Sequence, residues 1–157
     1  MNLWEVQAAD EQATERLGAL LAAWLPPQAA VALNGTLGAG KTRFVQAMAV
    51  AAGVLRDDVV SPTFVICQEY VGQQPIYHLD LYRVKDEDEW SELGIDELFS
   101  HEAWVLIEWA DRFPNRMPPD HLEIQIEVAG ESSRQFRFIS HGEDYEFVLQ
   151  ELANRWK

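Results

Sequence analysis

Residues 35–42, GTLGAGKT, decide the fold that this sequence is expected to adopt. They match the pattern G-x-x-x-x-G-K-[ST] at every specified position. An apolar run at residues 29–33 comes directly before them, and a helical pattern at residues 42–52 follows. A buried strand, a glycine-rich loop and a helix in this order predict a P-loop, which is a backbone cradle for phosphate groups.

The residue types within the loop suit a triphosphate together with a metal ion. Gly35, Gly38 and Gly40 allow backbone conformations closed to other residues, so that successive N–H groups can point at a phosphate. The positive end of the helix dipole adds to this field. Lys41 is expected to neutralise the β- and γ-phosphates, and Thr42 is expected to offer its hydroxyl to Mg²⁺.

Two carboxylates join Lys41 as candidate catalytic groups. Glu108 ends the apolar stretch AWVLIE, at the place where a P-loop protein needs an acid to hold Mg²⁺ or its water. Asp80 lies within the apolar strand pattern YHLDLYR, where an acid is rarely found without a partner. Two interpretations of Asp80 stay open: a role in the metal shell or in orienting water, and an ion pair with Arg83 or Lys85.

Several other side chains near these motifs have less specific interpretations. His78 has no second histidine at metal-ligand spacing and is interpreted as a structural or surface residue. Trp109 is expected to pack rather than to stack on a base or a partner. Arg112 and Arg116 are expected to form surface ion pairs rather than to act as arginine fingers. The segment SPTF, residues 61–64, either senses a γ-phosphate or forms an ordinary turn into a strand.

The remaining patterns complete an α/β fold. Asp10 is a plausible N-cap for a helix that ends at Pro26, and an amphipathic helical pattern begins at Glu143. Strand patterns predict two β-hairpins, one over residues 64–71 and 75–84 and the other over 121–128 and 135–139, and an acidic helix is predicted at 86–93. We therefore expect a single domain over residues 1–157 with the P-loop NTPase fold, in which a mostly parallel central sheet carries antiparallel hairpin strands and helices cover both faces.

The bulk composition argues against several classes of protein. The chain has 26 acidic against 12 basic residues and a formal net charge of -14, which disfavours non-specific binding to nucleic acid. Cys67 is the one cysteine, so no internal disulfide is expected. The first residues, MNLWEVQAADEQ, do not resemble a signal peptide, and no apolar run is long enough to span a membrane. The default expectation is a cytoplasmic protein.

The nucleotide class can be narrowed by the motifs that are missing. The GTPase patterns D-x-x-G and N-K-x-D do not occur in the sequence, which favours ATP over GTP. Three activities stay open on the chemistry alone. These are ATP hydrolysis, a small-molecule kinase with the stretch DRFPNR as its modest lid candidate, and a non-catalytic ATP-sensing module.

The ordered motifs together resemble one family. DEQAT, LNGTLGAGKT, SPTF, YHLDLYR, LGIDELF and VLIEW span residues 10–109 and are similar to the TsaE family, formerly YjeE. GESSR at residues 130–134 resembles a further family segment near the nucleotide. The resemblance implies a bacterial P-loop ATPase that supports threonylcarbamoylation of adenosine 37 in tRNA. It also implies action with a TsaB–TsaD heterodimer, so that tRNA is met only through partners that carry the basic surface.

The resemblance also implies roles for particular residues. Mg²⁺ is held by Thr42 and Glu108, Asp80 is functionally required, and SPTF is a switch-like segment. The residues implied to bind the nucleotide lie in three segments: Glu11 and Thr14 near adenine, Gly35, Gly38, Ala39, Gly40, Lys41 and Thr42 around the phosphates, and Arg134 near the nucleotide.

Overall fold

A computed structural model describes residues 2–59 and 66–156, and the apolar run before the glycine-rich loop lies at the centre of its seven-stranded sheet. The strands are β1 Leu3–Ala8, β2 Ala29–Gly35, β3 Cys67–Val71, β4 Pro75–Asp80, β5 Trp104–Glu108, β6 His121–Val128 and β7 Arg134–His141. The helices are α1 Glu11–Trp24, α2 Lys41–Ala51, α3 Glu87–Glu92, α4 Ile95–Leu98 and α5 Glu143–Arg155. The segment SPTF lies outside the described residues.

The order of strands places the phosphate loop beside two other strand ends. The sheet runs β1-β7-β6-β2-β5-β4-β3, and its four central strands, β6, β2, β5 and β4, are parallel. The flanking strands β7, β1 and β3 pair antiparallel, as the mixed sheet of the prediction requires. Because β2, β4 and β5 are parallel, their carboxyl ends meet at one edge of the sheet, where ligands bind in open α/β folds.

Both faces of the sheet are covered by helices, as predicted. Side chains alternate along β2, so Val31 and Leu33 join the core beneath α1, α2 and α5, while Ala32 joins the core beneath α3 and α4. Each core contains a fully buried large aromatic residue, Phe44 on the first face and Trp90 on the second. Two cores on one sheet hold the loops at its carboxyl edge on a rigid base.

Most predicted boundaries are confirmed, with two differences. Asp10 caps α1 by accepting a hydrogen bond from the backbone N–H of Ala13 at 2.8 Å. The hairpin strand predicted for residues 75–84 instead ends at Asp80, because Leu81–Arg83 form a 3-10 turn. The edge strand β1 was not predicted, and it pairs with β7 near the other end of the chain. Among the described residues, none of the helices is long and apolar enough to cross a membrane.

Candidate functional site

The glycine-rich loop between β2 and α2 has the backbone geometry of a phosphate cradle. Gly40 precedes the first residue of α2 with φ 106°, a left-handed conformation that side chains disfavour. Gly35 lies so close to β6 that an added β-carbon would sit 2.5 Å from the carbonyl oxygen of Ile126. The loop therefore needs glycine at both positions. The amino end of the eleven-residue helix α2 faces the hollow, which is the space that loop residues 35–40 enclose.

Lys41 turns its ammonium group into this hollow. Its Nζ donates to the carbonyl oxygens of Gly35 at 2.6 Å and Thr36 at 2.9 Å, and it lies 4.0 Å from the ring centroid of Trp109. Burial lowers the pKa of Lys41, and the Glu108 carboxylate is the largest influence in the opposite direction. A buried cation held among backbone carbonyls and an aromatic face is well placed for an anionic ligand, because phosphate oxygens are better partners for it than carbonyls are.

Glu108 comes to the loop from the end of β5. Its Oε2 and Oε1 lie 2.8 and 3.0 Å from the Thr42 hydroxyl, which follows Lys41 at the start of α2. The Glu108 residue is 3% exposed, although it carries a carboxylate. Thr42 and Glu108, predicted as one metal-binding pair from distant parts of the sequence, are thus brought into direct contact.

His78 is the part of this site that the sequence prediction missed. Its Nε2 lies 2.5 Å from Glu108 Oε2, and the imidazole is fully buried, so of the two interpretations given for His78, structural or surface, the structural one is confirmed. On the other side of the ring, Nδ1 lies 3.4 Å from the Tyr70 hydroxyl, a weak contact. The signal available in the sequence was the spacing of two between His78 and Asp80, which puts both side chains on one face of β4.

Asp80 closes the same edge of the sheet. It ends β4 in register with Glu108 on β5, and its Oδ1 accepts a hydrogen bond from the Tyr82 backbone N–H at 3.0 Å. Burial raises the pKa of the Asp80 carboxyl and Glu108 raises it further, while the Tyr82 N–H, His78 and Lys41 act in the opposite direction. The three candidate catalytic residues, Lys41, Asp80 and Glu108, therefore form one electrostatically coupled group.

The other predicted nucleotide-binding residues lie at the start of β7 and on α1. Arg134, at the start of β7, donates from Nε to the carbonyl oxygen of Ala39 at 2.8 Å and so reaches the loop itself. Glu11 lies beside the first turn of α2, where it forms a 3.1 Å ion pair with Arg43. Thr14 is 3% exposed within α1, so its side chain is buried.

Two open cavities lie beside the helix and the strand that flank the loop. One of about 530 Å³ lies between α1 and α2 and includes Glu15, Arg43 and Arg56 in its lining. Another of about 730 Å³ runs from Thr36 and Trp109 along β6. Both volumes fall within the range that small-molecule sites occupy.

The aromatic and arginine residues after β5 have structural contacts. Trp109 has φ 62°, and its ring lies 5.1 Å from that of Tyr82, so it packs as predicted. Arg116 forms the predicted surface ion pairs, with Glu87 and Asp96. Arg112 differs from the prediction, because its guanidinium donates to the backbone carbonyls of Leu81, at 2.9 Å, and Tyr82.

Comparison with known proteins agrees with this arrangement. The family model described as "Threonylcarbamoyl adenosine biosynthesis protein TsaE" matches residues 8–136. A Bacillus subtilis (strain 168) protein named tRNA threonylcarbamoyladenosine biosynthesis protein TsaE is 38% identical over 148 residues, which cover 94% of this chain and 92% of that protein. A protein of the same name from Nostoc sp. (strain PCC 7120) is 36% identical over 138 residues, covering 85% and 84%.

A solved structure shares the whole fold. The crystal structure of YdiB from Bacillus subtilis superposes with a TM-score of 0.82 at 30% identity, and the match covers 99% of this chain and 97% of that chain. The family match contains the loop, both strand-end acids and the start of β7 that supplies Arg134. The loop, the acids at the ends of its neighbouring strands and the likeness in sequence and fold agree, and the chain belongs to the TsaE family.

Proposed function

We propose that this chain binds ATP with Mg²⁺ at its P-loop and hydrolyses it in support of the N6-threonylcarbamoylation of adenosine 37 in tRNA. The proposal rests on one observation: Glu108 at the end of β5 accepts hydrogen bonds from the Thr42 hydroxyl and acts electrostatically on Lys41. A loop that binds phosphate needs only its backbone and a lysine. A buried carboxylate on the threonine hydroxyl adds the group that a hydrolytic site requires.

The donor set near Thr42 fits Mg²⁺. This ion prefers oxygen ligands, commonly one or two carboxylates together with phosphate oxygens. Thr42 supplies a hydroxyl and Glu108 a carboxylate within 3.0 Å of it, and Asp80 ends the adjacent strand in register with Glu108. When bound, the ion supplies charge neutralisation at the transferred phosphoryl group.

The chain's own residues divide the remaining work. Lys41 is the fixed positive charge of the hollow, and release of its two carbonyl contacts frees it for the β- and γ-phosphates. Glu108 orients the attacking water, and His78 fixes the position of that carboxylate through its Nε2. Asp80 ends β4 in register with Glu108 and would help to hold Mg²⁺ or its water when the ion is bound. Arg112 is held by the backbone carbonyls of Leu81 and Tyr82, and Arg116 by Glu87 and Asp96, so both arginines considered as fingers are engaged elsewhere and slow turnover is expected without a partner.

The biological role rests on the family. Relatives at 36–38% identity are named tRNA threonylcarbamoyladenosine biosynthesis proteins, and they cover most of this chain. A chain with a formal charge of -14 repels tRNA, so we propose that it acts through a TsaB–TsaD complex whose surface binds the tRNA. The place of action proposed is the cytoplasm, where a tRNA-modifying assembly meets its substrate.

Two substitutions separate binding from hydrolysis. Lys41→Ala is expected to weaken ATP affinity by about tenfold or more, because it removes a charge-assisted contact to the phosphates. Glu108→Ala is expected to retain ATP binding without Mg²⁺ and to lower Mg²⁺-dependent hydrolysis by about 100-fold or more. Arg137→Ala, at an exposed basic residue of β7 that pairs with Glu5, is the matched control and leaves ATP affinity and hydrolysis unchanged. Equal and complete loss of ATP binding in both site variants would contradict this division.

The fate of the γ-phosphate tests the reaction class. Free phosphate released in the presence of purified TsaB and TsaD, with no phosphorylated small molecule, supports the ATPase. A phosphorylated acceptor indicates a kinase, and ATP-dependent association with no turnover indicates a sensing module. A pull-down with the same two proteins tests the partners. Failure of any complex to form with ATP present would remove TsaB–TsaD from the proposal.

A further inference from the structure

Two histidines and a glutamate form a cluster far from the nucleotide loop. His121 on β6 lies opposite His141 on β7, and their rings stack with centroids 4.3 Å apart and planes 15° apart. Glu123 follows two residues after His121 on the same face of β6, and its Oε1 lies 3.3 Å from His141 Nε2. One possible ligand atom from each residue lies within 4.8 Å of the others. The antiparallel register therefore gathers three metal-binding side chains at one point.

The pairing of these residues follows from the core of the sheet. Leu122 and Ile124 are fully buried beneath α1, α2 and α5, which turns their neighbours His121 and Glu123 to the opposite face. On β7, Phe138 is buried in the same core, and Ser140 is also fully buried, which turns His141 outwards as well. The geometry of the cluster is thus set by a rigid sheet and not by a loop.

The orientation of His121 is fixed by a backbone contact. Its Nδ1 lies 2.8 Å from the carbonyl oxygen of Pro118, and a carbonyl can only accept a hydrogen bond. In the neutral imidazole, Nδ1 therefore carries the ring proton and Nε2 keeps its lone pair. A histidine that donates its second N–H to a backbone carbonyl has the orientation found for histidine ligands of metal ions.

We propose that His121, Glu123 and His141 bind one transition-metal ion, best matched by Zn²⁺. Imidazole nitrogens with one carboxylate suit Zn²⁺ and its neighbours, whereas Mg²⁺ prefers an all-oxygen shell. Three protein ligands leave one position for water or an external ligand. The side chains of His141 and Glu123 are 30% and 23% exposed, so an ion can reach them from solvent.

This site is separate from the nucleotide loop. Gly35 pairs with Ile126 on β6, which is five residues from His121, or about 17 Å along a strand. Glu123 nevertheless lines the same 730 Å³ cavity as Thr36 and Trp109. The proposed ion is therefore additional to the Mg²⁺ of the proposed hydrolysis.

The test is direct metal binding to the untagged full chain without nucleotide. Titration of Zn²⁺ against a chromophoric chelator is expected to give one site per chain. His121→Ala and His141→Ala are each expected to lower the Zn²⁺ affinity by more than about 100-fold. Glu123→Gln is expected to lower it by about 10- to 100-fold, since loss of an outer-shell partner alone lowers metal affinity by 10- to 100-fold. His101→Ala, an exposed histidine elsewhere, and Cys67→Ser are the matched controls and leave affinity unchanged.

A measurement on the unmodified chain covers the case in which a variant does not fold. With ¹⁵N-labelled histidine, Zn²⁺ is expected to shift the imidazole signals of His121 and His141 and to leave His78 and His101 unchanged. Absence of stoichiometric binding would overturn the proposal. So would binding that survives in the folded His121→Ala/His141→Ala double variant, or binding that is lost in Cys67→Ser. Each of these results is independent of whether the chain hydrolyses ATP.

Discussion

Replacement of His78 by phenylalanine tests whether this buried imidazole holds Glu108 in place. Phenylalanine keeps a planar ring but cannot donate to the carboxylate. The side chains of His78 and Glu108 are 0% and 4% exposed, so solvent does not screen the 2.5 Å contact between them. A hydrogen bond to a charged group contributes about 1.5–3 kcal/mol, which corresponds to about a 10- to 150-fold change in the unfolding equilibrium constant.

A double-mutant cycle isolates this interaction from the cost of each substitution. The free energies of unfolding of His78→Phe, Glu108→Leu and the double variant are measured by urea titration and compared with the unmodified chain. We expect a coupling energy of about 1.5–3 kcal/mol between the two positions. The exposed His101→Phe is the control and is expected to change stability by less than about 0.5 kcal/mol.

A second readout distinguishes a positioning role from a purely structural one. If His78 orients Glu108 for Mg²⁺, the Mg²⁺ concentration for half-maximal ATP hydrolysis rises about 10- to 100-fold in His78→Phe, as for loss of an outer-shell partner. A residue that only fills the core would lower stability and leave the Mg²⁺ dependence unchanged. A coupling energy below about 0.5 kcal/mol together with an unchanged Mg²⁺ dependence would refute the reasoning.

Three further predictions concern other parts of the fold. Tyr145→Phe is expected to cost about 1–3 kcal/mol in urea unfolding, because the buried backbone N–H of Ala30 loses its 3.0 Å acceptor. Burial raises the pKa of Tyr145, so the stabilisation by its neutral hydroxyl is present below the unfolded pKa of about 10 and is lost as the pH rises through the folded pKa. The difference in free energy of unfolding between the unmodified chain and Tyr145→Phe is therefore expected to narrow in strongly alkaline urea titrations. A difference that widens there would contradict this. Gly35→Ala places a methyl group 2.5 Å from the Ile126 carbonyl oxygen, and calorimetry is expected to show a loss of about 1–3 kcal/mol; an unchanged midpoint would mean that the loop relaxes freely. Burial and the Glu69 carboxylate raise the pKa of the Cys67 thiol, so alkylation by iodoacetamide is expected to be slower at pH 8 than that of free cysteine, and an equal or faster rate would count against this.

The local sequence pattern was sufficient to predict the secondary structure on both sides of the loop. The run of small apolar residues before Gly35, the glycine spacing and the helix after Thr42 each act within a few residues, so their conformation follows from backbone sterics and burial. The alternation in β6 and the N-cap of α1 at Asp10 are local in the same way. The identities of Lys41 and Glu108 as candidate site residues were predictable because their motifs require those residue types.

Pairings between distant segments were not predictable from such patterns. β1 is a short edge strand with half its residues exposed, and only its ladder with β7 makes it a strand. The 3-10 turn at Leu81–Arg83 depends on the Asp80 side chain accepting from the Tyr82 N–H, which competes with continuation of β4. Tertiary pairing decided β1, whereas a side-chain contact between near neighbours ended β4.

The same distinction holds for the chemistry. The eight residues 35–42 were enough to predict a phosphate-binding loop, because the glycine-rich backbone, the Lys41 charge and the Thr42 hydroxyl are neighbours in the chain. The contact of His78 with Glu108 joins residues 30 apart, and that of Arg134 with Ala39 joins residues 95 apart. The cluster of His121 and His141 exists only through the β6–β7 register, in which a shift of one residue would turn one histidine to the opposite face. Sequence determines which groups are available, and the packing of the two cores on the sheet decides which of them meet.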